Sequence, residues 1–115
     1  MSKVVYLDNN ATTRVDPAVV EAMMPFFTER YGNPSSMHAF GGTVQADVEE
    51  AREKIAALIH AQPHEIVFTS CGSESDNMAI LGAVEKLGPD TTIITTRVEH
   101  PAVLQPCRLL RSRGH

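Results

Sequence analysis

The feature that most constrains the fold is an alternation of β-type and helical segments in the second half of the chain. Residues 65–69 and 91–96 are apolar or rich in β-branched residues, and a helical pattern follows each of them, over 74–87 and 99–114. This order and spacing are typical of parallel strands joined by crossover helices. We therefore predict an α/β fold, with a tight turn of small residues over 70–73.

The first half of the chain predicts a short strand at residues 4–7 and then two helices. Asp16 and Pro17 begin the first helix, because a capping carboxylate precedes a proline at the first helical position. This helix reaches about residue 30, and Pro25 kinks or splits it. The second helix is predicted over 39–60, with one apolar stripe for a core. The stripe comprises Val44, Val48, Ala51, Ile55 and Leu58.

The predicted sheet looks incomplete. Two parallel strands, each normally buried on both faces, make a poor sheet. We expect a chain that is cut short, with exposed apolar edges that cause aggregation or oligomer formation. Pro106 is expected to interrupt the last helix.

Composition excludes several classes of protein. The 115 residues carry a net charge of -4, which argues against nucleic acid as a partner. No apolar run reaches membrane-spanning length, and no basic-then-apolar leader opens the chain. Cys71 and Cys107 form neither a disulfide framework nor a metal pair, and the histidines lack zinc-site spacing. We expect a cytoplasmic protein with reduced thiols, no membrane contact and no metal.

A turn of small residues at 69–77 is the first candidate site. Its backbone N–H groups can approach an anion, the helix that follows adds a favourable dipole, and Ser73 adds a hydroxyl. It matches neither the dinucleotide-binding nor the P-loop pattern. Helix capping alone also explains such a turn, so both interpretations stay open. Phosphate binding further requires that Glu74 and Asp76 point away from the anion.

His100 is the second candidate, because it follows the predicted strand 91–96. Open α/β sheets bind ligands at the carboxyl ends of their strands, so His100 and the 69–77 turn are expected to be neighbours. An imidazole can stack on a flat ring and move protons near neutral pH. The alternative is a histidine that caps the helix starting at Pro101, and that alternative also stays open.

Four segments together resemble the NifS/IscS-like cysteine desulfurases, which are fold-type I pyridoxal-phosphate enzymes of the class V aminotransferase group. Their order and spacing match throughout, and they cover nearly the whole chain. The segments are Tyr6-Leu7-Asp8-Asn9-Asn10-Ala11-Thr12-Thr13, Gly32-Asn33-Pro34-Ser35-Ser36 with His38 and Gly41, residues 68–77, and Val98-Glu99-His100-Pro101-Ala102-Val103. Asp8-Asn9-Asn10 and Cys71 favour the nitrogen-fixation type.

This resemblance implies a fold and a set of site residues. The fold is a partial large domain over residues 16–115, preceded by a small-domain segment over 1–15. Gly72 and Ser73 are implied to hold the phosphate of pyridoxal 5'-phosphate, and His100 to stack on its ring and assist proton transfer as the catalytic histidine. A further group is implied to line the substrate approach: Asn9, Ala11, Thr12 and Asn33.

The resemblance also implies an activity and partners. The family converts L-cysteine to L-alanine and passes the sulfur, as an enzyme persulfide, to an acceptor or scaffold for iron–sulfur cluster assembly, and it acts as a homodimer. None of the lysines, Lys3, Lys54 and Lys86, matches the Schiff-base position, and neither cysteine matches the nucleophile. The isolated chain is therefore expected to be inactive. A truncated product without activity, a selenocysteine lyase and an aminotransferase of the same group remain alternatives.

Overall fold

The structure, a computed structural model, describes residues 4–115, and residues 1–3, which include Lys3 and the start of the predicted 1–15 segment, lie outside that range. The helices are α1 (Pro17–Thr28), α2 (Ala39–Leu58), a short 3₁₀ helix (Pro63–Glu65), α3 (Gly72–Leu87) and α4 (Pro101–Ser112). The chain forms two compact units, an N-terminal unit that ends at Ile66 and a C-terminal unit over Val67–His115. The predicted division into 1–15 and 16–115 stays a prediction.

The first helix begins where the sequence predicts it. The Asp16 side chain accepts a hydrogen bond of 2.8 Å from the Ala18 N–H, and Pro17 occupies the first turn, where its missing N–H costs nothing. Pro25 lies within α1 and does not split it. The helix ends two residues before the predicted position, with the Glu29 N–H donating to the Pro25 carbonyl at 2.9 Å.

The second helix has nearly the predicted length, but its buried face differs. Val44 and Ala56 are buried, whereas Leu58 of the predicted stripe is 81% exposed. The inward face follows a spacing of four residues that places Arg52 between those two, and its guanidinium donates to the Ile66 carbonyl beside the 3₁₀ helix. The predicted stripe is therefore wrong in its second half, because a hydrogen-bonded arginine takes a place there.

The predicted sheet is not confirmed. No β-strand occurs within residues 4–115, and the segments 4–7, 66–69 and 91–96 have irregular structure there. Apolar side chains in these segments are exposed, with Val67 at 60% and Ile94 at 94%. A strand is stabilised by a hydrogen-bonded neighbour, and the two segments 66–69 and 91–96 do not pair with each other. Glu65 also belongs to the 3₁₀ helix and not to the start of a strand.

In the C-terminal unit, α3 and α4 pack against each other. Pro106 is buried within α4 and does not interrupt it, so that part of the prediction is wrong. The second half of α3, at Leu81 and Val84, lines the same cleft as the end of α4, at Leu110. The second half of α3 therefore lies next to the end of α4. No helix among residues 4–115 combines the length and the apolar character needed to cross a bilayer.

Candidate functional site

The N-terminus of α3 is open towards solvent. Its cap residue Cys71 has extended backbone, and the Cys71 side chain forms no capping hydrogen bond. The first hydrogen bond of the helix runs from the Ser75 N–H to the Cys71 carbonyl at 3.2 Å. The N–H groups of Gly72, Ser73 and Glu74 precede it, so they have no partner within the helix. This is the backbone arrangement that binds anions at helix N-termini.

The side chains around these N–H groups leave room for a ligand. A Cβ atom placed on Gly72 meets nothing within 4 Å among the described residues. Cys71, Gly72 and Ser73 are all exposed. The Ser73 hydroxyl forms no hydrogen bond to another residue in the part of the chain that the structure describes. An anion at this helix start can therefore reach both the backbone N–H groups and a free hydroxyl.

The Glu74 side chain reaches back to Ser70, the residue before the cap Cys71. Its Oε2 atom accepts a hydrogen bond of 2.7 Å from the Ser70 N–H and another of 2.7 Å from the Ser70 hydroxyl. The Ser70 N–H, followed by the Ser70 hydroxyl, holds the pKa of the Glu74 carboxyl below its ordinary value. Phosphate binding requires the Glu74 carboxylate to point away from the anion, and the sequence pattern does not by itself reveal Ser70 as its partner. The spacing of four residues was the available signal.

Cys71 lies at the same helix start and is electrostatically affected by it. The Glu74 backbone N–H lowers the pKa of the Cys71 thiol most, followed by the Ser70 hydroxyl and then the Ser73 N–H. The Ser70 hydroxyl lies 3.9 Å from the Cys71 sulfur. Cys71 therefore shares the N–H groups that an anion would use, although no bond of ordinary capping geometry joins it to them.

His100 is the N-cap of α4. Its Nδ1 atom accepts a hydrogen bond of 3.1 Å from the Ala102 N–H, so the capping alternative is correct. A ring nitrogen that accepts a hydrogen bond carries no proton, so the neutral ring bears its proton on Nε2. The side chain is exposed. Capping through Nδ1 thus leaves Nε2 and the ring faces available, and the two interpretations of His100 are compatible.

The second halves of α3 and α4 lie together, because Val84 and Leu110 line one cleft. None of the residues of the 69–77 turn lines that cleft, and neither does His100. The expectation that the turn and His100 are neighbours stays a prediction.

A separate cleft of about 710 Å³ lies in the C-terminal unit between residues 93–97 and the second half of α4. Arg97, Arg108, Arg111 and His115 contribute to its lining. None of the residues of the 69–77 turn lines it, and neither does His100. This cleft is therefore distinct from the site predicted from the sequence.

The residues predicted to line a substrate approach belong to the N-terminal unit. Asn9, Ala11 and Thr12 are exposed and lie in or next to a turn in which the Asp8 carbonyl accepts from the Ala11 N–H at 3.1 Å. The Asn33 side chain accepts a bond of 2.9 Å from the Ser35 N–H and so stabilises its own loop. Their substrate role stays a prediction.

Comparison with known proteins shows the family to which the chain belongs. The profile of the class-V aminotransferases matches residues 5–115. A protein of Trichormus azollae named cysteine desulfurase is 59% identical over 112 residues, which make up 97% of this chain and 28% of that protein. The cysteine desulfurase NifS of Azotobacter vinelandii is 55% identical over 112 residues, with 96% of this chain and 28% of that protein covered.

A solved structure gives the same result. A NifS-like protein matches with a TM-score of 0.86 and 47% sequence identity, over 96% of this chain and 30% of that chain. The resemblance predicted from the four sequence segments is thereby confirmed. The chain spans about 28% of the length of the curated relatives described above.

Proposed function

Because the chain belongs to the class-V aminotransferase family, we propose that it provides the phosphate-binding turn and the capping histidine of a cysteine desulfurase that depends on pyridoxal 5'-phosphate. The observation that carries this proposal is the open start of α3, where N–H groups without helical partners lie beside an exposed serine. Identities of 55–59% to proteins named cysteine desulfurase support the choice of activity within the family.

The residues at the two helix starts fit a cofactor with a phosphate and a planar ring. The Gly72 and Ser73 N–H groups and the Ser73 hydroxyl would hold the phosphate, since together they supply hydrogen bonds and the positive end of a helix dipole. The exposed His100 ring would lie against the cofactor ring, with Nε2 free to hold or move a proton. When bound, pyridoxal phosphate supplies an electron sink for bond cleavage next to an amino group.

The proposal extends to the substrate and partners of the whole protein. L-cysteine is the proposed substrate, and Asn9, Ala11, Thr12 and Asn33 are proposed to line its approach. Support comes from the relatives named cysteine desulfurase. A sulfur acceptor or iron–sulfur scaffold protein, a homodimeric state, a role in nitrogen fixation and a cytoplasmic location belong to the same proposal. The name NifS supports the role in nitrogen fixation. The free thiols of Cys71 and Cys107 fit a reducing compartment. The acceptor and the homodimeric state rest on the resemblance to the family.

The proposal also includes the fold-type I large domain. Residues 66–69 and 91–96 are proposed to be strands of one parallel sheet, each in front of its crossover helix. The TM-score of 0.86 to a NifS-like protein and the contact between α3 and α4 support this arrangement. Exposed Val67 and Ile94 are apolar side chains that packing on the faces of such a sheet would cover.

Ligand binding to the ¹⁵N-labelled chain tests the phosphate site. We expect pyridoxamine 5'-phosphate to shift the Gly72 and Ser73 amide signals, and pyridoxamine, which lacks the phosphate, to leave them unchanged. Ser73→Ala should weaken the binding about tenfold, because it removes one hydrogen bond to a charged group. Ser112→Ala is the matched control, since its hydroxyl bonds the Leu109 carbonyl at the other end of α4. Equal shifts with both ligands would contradict the proposal.

A further inference from the structure

One oxygen atom of Glu74 closes the turn that precedes α3. Oε2 accepts from both the N–H and the hydroxyl of Ser70, each at 2.7 Å. A second bond fastens the same turn, because the Thr69 and Ser75 hydroxyls lie 2.6 Å apart. The backbone of residues 69–75 is thus held by side chains of the turn itself, and neither bond occupies the N–H groups of Gly72 or Ser73.

The position of Glu74 is otherwise unfavourable for an anion site. A carboxylate in the first helical turn stabilises the helix dipole, but it repels a phosphate that binds at the same N–H groups. Its bonds to Ser70 fix the carboxylate beside the residue that precedes the cap Cys71. Glu74 therefore affects anion binding in two opposite ways: its charge weakens binding, and its hydrogen bonds keep the turn in the shape that binding needs.

We propose that Glu74 is a positioning residue. Through its hydrogen bonds to Ser70, it holds the backbone of residues 70–74 in the conformation that binds the cofactor phosphate. This inference rests on the proposed function, since it concerns the same phosphate. In this role Glu74 would act through the turn and would touch neither the phosphate nor the ring. It keeps the Gly72 and Ser73 N–H groups converged in the free protein, so that the ligand need not order the turn when it binds.

Two variants of Glu74 separate the hydrogen bonds from the charge. Glu74→Gln removes the charge and keeps an oxygen that can accept from Ser70, whereas Glu74→Ala removes both. We expect Glu74→Ala to bind pyridoxamine 5'-phosphate about fivefold more weakly than the unsubstituted chain, and Glu74→Gln to bind within about twofold of it. If the charge alone mattered, both variants would bind phosphate more tightly.

The measurement is a titration of the ¹⁵N-labelled chain with inorganic phosphate and with pyridoxamine 5'-phosphate, read at the Gly72 and Ser73 amide signals. Ser70→Ala should lose part of the affinity, because one of the two hydrogen bonds to Glu74 remains through the backbone. Asp76→Ala is the control. Asp76 is an acidic residue of α3, and among the described residues it forms no hydrogen bond to Ser70. Asp76→Ala should bind at least as tightly as the unsubstituted chain.

The pH dependence gives a readout that does not require any ligand. The Ser70 N–H lowers the pKa of Glu74, so the bonds between them are complete above the ordinary carboxyl range and are lost as the pH falls through the lowered pKa. The Ser70 amide signal should therefore shift with pH, with a midpoint below the pKa of a glutamate that has no such hydrogen bonds. In Glu74→Gln this pH-dependent shift should be absent.

The outcomes distinguish this inference from the function on which it rests. If the unsubstituted chain shows no phosphate-dependent shift at Gly72 and Ser73, the proposed function fails first. If it does show the shift and Glu74→Ala binds as tightly or more tightly, the positioning role is wrong and the phosphate site stands. Weaker binding by Glu74→Ala with rescue by Glu74→Gln supports both.

Discussion

The starts of α2 and α3 both carry a glycine near the first turn, and they use it in opposite ways. At α2 the His38 ring accepts a hydrogen bond of 3.2 Å from the Gly41 N–H, and a Cβ on Gly41 would lie 2.6 Å from the Asn33 carbonyl oxygen. At α3 no side chain caps the helix, and a Cβ on Gly72 would meet nothing. The first glycine is required by packing. The second leaves space that packing does not need.

This difference indicates where the chain can bind something at a helix start. A capped, crowded N-terminus has already used its N–H groups and its volume for stability. An uncapped, open N-terminus keeps both available, at a cost in helix stability of the order of a missing cap, about 1 kcal/mol. Substitutions that crowd or relieve the start of α2, or that add a cap to α3, test whether the open start of α3 is the anion-binding site.

The largest expected effect is on stability at α2. Gly41→Ala forces a Cβ against the Asn33 carbonyl and Ser36, and such overpacking typically costs about 1–3 kcal/mol of unfolding free energy. Gly72→Ala should change the unfolding free energy by less than about 0.5 kcal/mol, because its Cβ meets open space and Gly72 is the first residue of α3, where interior helix propensity does not apply in full. Urea unfolding followed by circular dichroism measures both.

A neighbouring glycine is the control for the Gly41 experiment. A Cβ on Gly42 meets nothing within 4 Å, although it lies in the same helix. Gly42→Ala should raise the unfolding free energy by about 0.5–1 kcal/mol through helix propensity alone. If Gly41→Ala were as stable as Gly42→Ala, the crowded start of α2 would not exist in solution, and the contrast with α3 would lose its reference.

The helix starts could be predicted from the sequence because local chemistry determines them. Asp16 before Pro17 is a sufficient signal, since a cap needs only a side-chain oxygen within two or three residues of the N–H groups. The sequence predicts two possible roles for His100, helix capping and contact with a flat ring. The Nδ1 atom caps α4, and the Nε2 atom remains available for the second role. The start of α3 lies at Gly72, two residues before the predicted Glu74, because a turn of small residues can also begin a helix.

Features that depend on distant partners could not be predicted in the same way. The residues 66–69 and 91–96 have strand composition, but a strand also needs a paired neighbour, which periodicity does not reveal. Arg52 occupies the inward face of α2 because a backbone carbonyl fourteen residues away accepts its hydrogen bond. Pro106 remains inside α4 and is buried there, so the hydrogen bond that a proline removes does not end the helix.

A smaller effect is expected when α3 is given a cap like that of α1. Cys71→Asp places a carboxylate oxygen where it can accept from the first-turn N–H groups, and we expect about 0.5–1 kcal/mol of added stability. The same carboxylate occupies those N–H groups and repels phosphate, so binding of pyridoxamine 5'-phosphate should be lost. Cys71→Asn separates the two effects, because it caps the helix without a charge. A stabilised variant that still binds phosphate would show that the open cap is not the binding site.

The smallest effect concerns the rate at which the Cys71 thiol is alkylated. The Glu74 N–H, the Ser70 hydroxyl and the Ser73 N–H lower the pKa of this thiol, and the thiolate is the reactive form. Because the thiolate appears as the pH rises through the pKa, the rate of reaction with iodoacetamide should reach its midpoint at a lower pH than for an ordinary cysteine. A Cys107→Ser background restricts the reaction to Cys71. Phosphate bound at the same N–H groups withdraws them from the sulfur and adds negative charge, so it should slow the alkylation. If phosphate left the rate of Cys71 alkylation unchanged, the anion would not bind at the start of α3, and the proposed difference between the starts of α2 and α3 would be wrong.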